Sequence, residues 1–101
     1  MPSSLRLRIS AEARDDLRDL LQYTLETWGP DQRDRYRSQL LVALQQLTEY
    51  PLRGPARDDL RPNYRSLVVD QHIVYYRVEP TAIRIVRIVH ERRDVPRELV
   101  Q

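Results

Sequence analysis

The chain has 101 residues, of which 41% are hydrophobic and 32% charged, with a formal net charge of +2; that is enough for one domain, residues 1–101, and one core. No apolar run approaches a membrane span, and the opening Met-Pro-Ser-Ser-Leu-Arg lacks the apolar centre of a signal peptide, so the expectation is a cytoplasmic globule. The absence of cysteine excludes disulfides and thiolate chemistry, and because all 17 basic residues are arginine, no lysine Schiff base or phosphate-loop lysine can form.

Leu5 to Ile9 alternates apolar and basic residues, which predicts a short half-buried strand. Ser10 then stands as a helix N-cap, with Glu12, Asp15 and Asp16 in the first turns, where the helix dipole favours carboxylates. Ala13, Leu17, Leu20, Leu21, Thr24, Leu25 and Trp28 recur at three- and four-residue steps and predict one amphipathic helix. Tyr23 and Trp28 read as aromatics filling the core. Asp15, Asp16 and Asp19 beside Arg14 and Arg18 read as a solvated face.

Gly29 ends that helix and Pro30 opens the next, predicted over Asp31 to Glu49 with Tyr36, Leu40, Ala43, Leu44, Leu47 and Tyr50 as its buried edge. So short a connection folds the two helices into an antiparallel hairpin. Pro51, Gly54, Pro55 and Pro62 mark a loop through which Arg53, Arg57 and Arg61 are spaced, either as solvated charges or as phosphate contacts. Tyr64 to Val69 alternates as a strand and turns at Asp70-Gln71 into a β-branched, aromatic run from His72. A break at Glu79-Pro80-Thr81 separates this from a second run, Ala82 to Val89, closed by His90-Glu91-Arg92-Arg93-Asp94. From Val95 onward there is room for one helical turn. The basic excess lies here: residues 1–50 hold seven arginines against eight acids, and residues 51–101 hold ten against seven.

The predicted fold class is α+β, in the order β-α-α-β-β-β, with a helical hairpin on one face of a small, mostly antiparallel sheet. On the first strand of the closing hairpin, His72, Val74, Tyr76 and Val78 share one face, and Ile73, Tyr75 and Arg77 the other. Both faces are largely apolar, which predicts a second cover such as a partner or a dimer. A two-residue turn would set Arg77 opposite Arg84 and a three-residue turn would set it opposite Ile83; the sequence leaves the register open.

Two groups of residues carry a family likeness. Leu17, Tyr23-Thr24, Trp28-Gly29, Gln32 and Tyr36 form the first; Pro51, Gly54, Pro55, Arg65, His72-Ile73-Val74-Tyr75 and Arg87 to Asp94 form the second. Together they resemble the ParE branch of the RelE/ParE toxin superfamily, over nearly the whole chain. The resemblance implies a toxin that acts by binding, without cofactor or metal and without catalytic residues. Its implied partners are a cognate DNA-binding antitoxin of ParD-like or other type, whose flexible segment wraps the toxin, and DNA gyrase as target, with DNA met only indirectly. A homodimer and a hetero-oligomer with the antitoxin are both compatible with it.

The alternative is the ribosome-dependent mRNA endoribonuclease of the RelE branch, whose chemistry needs cationic and acid/base groups around one phosphate. The RelE lysines and third-strand arginine correspond to Tyr64, Ser66 and Ile73 here, and no tyrosine follows Tyr76. Arg92 and His90 alone make a poor nuclease set. His90 reads first as a strand end anchoring the charged turn, and His72 as a sheet-edge residue; two histidines 18 positions apart give no metal motif. The expected target-binding rim is His90, Arg92 and Arg93, and the expected antitoxin-binding face is Arg65, Tyr75, Arg77 and Arg87.

Overall fold

The computed structural model describes residues 5–100. Its elements are β1 (Arg6–Ile9), α1 (Ala11–Trp28), α2 (Pro30–Gln46), β2 (Tyr64–Val69), β3 (His72–Val78), β4 (Ala82–His90) and a single 3-10 turn at Arg97–Leu99. The sheet order is β1-β4-β3-β2, with β1 parallel to β4 and the other pairs antiparallel.

Ser10 starts α1 in two ways. Its Oγ accepts the Ala13 N–H at 3.0 Å, satisfying a free donor of the first turn, and donates to the Val86 carbonyl at 2.8 Å. At the other end, the Gly29 N–H bonds to the Leu25 carbonyl while the Gly29 carbonyl accepts from Arg33, so one residue closes α1 and opens α2. Its φ of +91° is a left-handed conformation that a Cβ would strain. The helix α2 is shorter than the sequence reading, because residues 47–49 form turns, with the Leu47 and Thr48 N–H groups bonding back to Leu44 and Gln45. Tyr50 thereby swings out to 61% exposure instead of joining the buried edge.

The main core lies between the helical hairpin and one sheet face. It gathers Ala13, Leu20, Tyr36, Leu40, Leu44 and Leu47 against Val69, Val74, Tyr76, Ile83, Ile85 and Ile88. Each large side chain fully buried there contributes about 1.5–3 kcal/mol. Ile83, Ile85 and Ile88 share this face despite their odd spacing because the ladder steps from Tyr75↔Arg87 to Tyr76↔Ile85, leaving Val86 as a bulge. The Glu79 N–H bonds to the Ala82 carbonyl at 2.9 Å, which leaves Pro80 and Thr81 as the two-residue tip of the β3–β4 turn, so Arg77 does face Arg84. Arg84 Nε answers by pairing with Glu79 Oε2 at 3.1 Å.

The second sheet face corrects the expectation of an open surface. Leu60 from the long loop and Leu99 from the tail close over Tyr75 and Val89, joined by Tyr64, Ile73, Val86 and Val95. The loop is anchored by backbone bonds to β2, Arg57 N–H to the Tyr64 carbonyl at 2.7 Å and Ser66 N–H to the Pro55 carbonyl at 3.2 Å. The apolar second face is real, but the chain covers much of it itself.

Candidate interaction cleft

A concavity of about 920 Å³ opens between the helical hairpin and the His72/His90 end of β3 and β4. Its rim holds Tyr23 and Trp28, which are 67% and 71% exposed. This overturns their reading as core aromatics. Tyr23 precedes the buried Thr24 by one residue, about 100° around the helix and off the apolar stripe, a signal present in the sequence. Trp28 lies on the stripe but in the final turn of α1, beyond Thr24, the last buried residue of that helix. Large exposed aromatics beside arginines are the composition of protein-binding hot spots.

Beneath the rim, the floor is a polar cluster. His72 and His90 face each other across the β3–β4 ladder with ring centroids 5.4 Å apart. Tyr36 reaches from α2 so that its Oη lies 2.6 Å from His72 Nδ1 and donates to the Val69 carbonyl at 3.1 Å. Burial, with Asp70 and Glu91 nearby, pushes the Tyr36 hydroxyl well above the usual tyrosine range, so it stays protonated. Burial and the neighbouring His90 hold His72 below the ordinary histidine value, while Asp70 and Glu91 oppose the shift.

That shift has a defined sign. Below about pH 6.5 the unfolded chain takes up the proton that folded His72 resists, so stability falls as the pH drops through this value. Urea midpoints measured from pH 8 downward should therefore show an acid slope in this window that is reduced in His72→Gln.

His90 and Arg93 line the cleft, whereas Arg92 does not. The Arg92 N–H donates to His90 Nδ1 at 3.1 Å, and the Arg93 N–H donates to the His90 carbonyl at 3.0 Å. His90 thus anchors the charged turn, and Arg92 shapes the rim through its backbone.

The other four predicted residues lie elsewhere. Tyr75 is 2% exposed under the loop and tail, which corrects the picture of an accessible ring, and Arg57 stacks over it with its guanidinium carbon 5.8 Å from the ring centre. Arg65 is tied to the Gly54 carbonyl at 2.7 Å. Arg87 is held by Asp16 through Nε at 2.6 Å and Nη2 at 3.0 Å, and by Glu98 on the tail. Of this group, Arg77 alone is classed as exposed. The loop arginines are likewise engaged within the chain: Arg53 with Gln46, Arg57 with Asp59, and Arg61 with the Glu98 carbonyl.

Asp16 was not legible as a functional or structural anchor. Besides holding Arg87, it accepts the Ile88 N–H at 2.9 Å, so it is a half-buried clasp at the edge of the cleft rather than part of a solvated face. It satisfies an edge of β4 that β1, ending at Ile9, is too short to cover.

A helical hairpin on one face of a four-stranded sheet, with an aromatic- and arginine-lined cleft at one end, is the α+β frame that the resemblance to the RelE/ParE toxins implied. The profile of the family described as ParE toxin of type II toxin-antitoxin system, parDE, matches residues 7–95. The chain belongs to the ParE toxin family. It is 36% identical over 97 residues to Toxin ParE1 of Mycobacterium tuberculosis, covering 95% of this chain and 99% of that protein. It is 32% identical over 84 residues to Toxin ParE1 of Caulobacter vibrioides, covering 83% and 86% respectively. The fold matches a structure of the chromosomal ParDE system from P. aeruginosa with a TM-score of 0.74 at 20% identity, over 86% of this chain and 96% of that one. It also matches a chain of the E. coli DinJ-YafQ toxin-antitoxin complex, with a TM-score of 0.54 at 13% identity over 87% and 93%.

Proposed function

We propose that this toxin acts by binding DNA gyrase and trapping its cleaved DNA, and that a cognate DNA-binding antitoxin silences it by direct association. The observation that carries the target reading is the cleft, where exposed Tyr23 and Trp28 share one concavity with His90 and Arg93. Such a surface offers rigid apolar area and a cation to a protein partner. Catalysis has less to work with. The positions that would carry the RNase charges hold Tyr64, Ser66 and Ile73, and Ile73 packs into the second cluster. His90 Nδ1 is occupied by the Arg92 N–H.

The antitoxin reading is supported by the family and by structural relatives described as a ParDE system and a toxin-antitoxin complex. On this chain the exposed Arg77, opposite Arg84, is the point for acidic antitoxin residues, with Arg65, Arg87 and Tyr75 holding the loop and tail that border it. Arg77→Glu should weaken antitoxin binding by roughly tenfold or more, as like charges meet across the interface.

The deciding experiment mixes purified protein with gyrase and supercoiled plasmid, and in parallel with translating ribosomes and mRNA. Accumulated cleaved plasmid with intact mRNA is the expected result. Cut mRNA with unaffected gyrase would establish the RelE-type activity instead.

A further inference from the structure

The face of the sheet away from the helices has two ends that the fold treats differently. Towards His90 it carries Ile73, Tyr75 and Val89 under Leu60 and Leu99, and the arginine there, Arg87, is held by Asp16 and Glu98. Towards the β3–β4 turn it carries arginines in a row. Arg8 of β1 lies opposite Arg84 of β4, and Arg84 lies opposite Arg77 of β3. Arg6 shares that face two residues before Arg8, because Leu5, Leu7 and Ile9, which alternate with them, pack against the main core. Neighbouring strands are about 4.8 Å apart, so the row spans about 10 Å across three strands, with Arg6 about 7 Å to one side along β1.

Like charges directly opposite one another destabilise a sheet. Arg84 is answered by Glu79. Among the described residues no carboxylate is in ion-pair contact with Arg6, Arg8 or Arg77, and all three are exposed. This end of the face therefore holds a positive potential that an anion laid across the row would relieve.

The surroundings select the anion. None of the large exposed apolar side chains among the described residues lies on β1, β3 or β4, and the aromatic cleft does not extend to the row. A peptide binds tightly through apolar anchors, and a single strand of nucleic acid through rings on which its bases stack. The backbone of a duplex needs neither, because cations alone hold it, and guanidinium groups pair with phosphate oxygens through two parallel bonds.

We propose that Arg6, Arg8, Arg77 and Arg84 form a binding site for the phosphate backbone of duplex DNA, touched directly and without base preference. The site lies at the opposite end of β3 and β4 from the His72/His90 cleft and does not rest on the gyrase reading. Arg77 is shared with the antitoxin reading, so acidic antitoxin residues and phosphates compete for one guanidinium.

Fluorescence anisotropy of a labelled duplex of about 20 base pairs, without gyrase, tests this. The wild type should bind at 50 mM salt with a Kd of about 1–100 μM. With three phosphate contacts, log K should fall against log salt with a slope of about −2.7, a loss of roughly fortyfold between 50 and 200 mM. Arg8→Glu, at an exposed position, should keep its urea midpoint and weaken binding by roughly tenfold or more. Arg37→Glu, the same change of charge at an exposed position on α2, should weaken it by no more than about twofold. No binding at 50 mM salt, or equal losses in the two variants, overturns the proposal. So does displacement of the duplex by oligoglutamate at a lower charge concentration than by unlabelled duplex, which would give the row to an acidic peptide instead.

Discussion

Replacing Asp16 with alanine should lower the stability of the chain by about 3–5 kcal/mol, the cost of leaving a largely buried cation and a backbone donor without their partner. The Asp16 and Arg87 side chains are 16% and 18% exposed, and the carboxylate meets both Arg87 nitrogens and the Ile88 N–H. Arg87 in turn holds Glu98, so the same carboxylate connects α1, the bulged stretch of β4 and the tail over the second face. Holding Arg87 this way raises its pKa, with Asp16 the largest cause, and Arg87 stays charged at every working pH. Asp16→Asn keeps the shape and one acceptor, so it should fall between the wild type and Asp16→Ala in urea denaturation. Equal midpoints for Asp16→Ala and the wild type would show that the clasp contributes nothing net.

Gly54→Ala should be the second most damaging single change, at about 2–4 kcal/mol, combining an overpacked contact with a disturbed buried hydrogen bond. A Cβ at this position would run into the Ser66 carbonyl and approach the Tyr76 hydroxyl to 3.0 Å. The Gly54 N–H donates to that same hydroxyl at 3.0 Å, and Tyr76 Oη donates to the Pro51 carbonyl at 2.8 Å. The loop is thereby pinned to a fully buried ring of the main core. Tyr76→Phe, which deletes only the hydroxyl, should cost about 1–3 kcal/mol. A Gly54→Ala protein with the wild-type thermal midpoint would mean that the loop gives way freely.

The parts of this fold written in short periods were legible: the β1 alternation, the α1 stripe, the Gly29-Pro30 junction and the two runs that became β3 and β4. Parity along β3 correctly separated Val74 and Tyr76 from Ile73 and Tyr75. The cover of the second face was not legible, because it comes from apolar residues isolated among prolines and arginines, Leu60, Val95 and Leu99, which carry no period of their own. The β4 bulge was hidden for a related reason, since an extra residue at Val86 breaks the alternation without a glycine to mark it. The Asp16 clasp joins residues 71 positions apart, a distance no local pattern reports.

The lining of the cleft was half legible. The charged turn after β4 marked His90 and Arg93, but Tyr23 and Trp28 were assigned to the core because aromatic residues on a helix usually pack there. Their exposure at the cleft extends the proposed binding surface from the strand end alone to the space between that end and the helical hairpin.

The most direct test of that surface is gyrase poisoning measured for wild type and Trp28→Ala side by side. Trp28 is 71% exposed, so the variant should unfold within about 0.5 kcal/mol of wild type. As a hot-spot aromatic, its loss should raise the concentration needed to accumulate cleaved plasmid by roughly thirtyfold, about 2 kcal/mol. A Trp28→Ala protein that folds normally and poisons gyrase at the wild-type concentration would contradict the cleft as the target-binding surface.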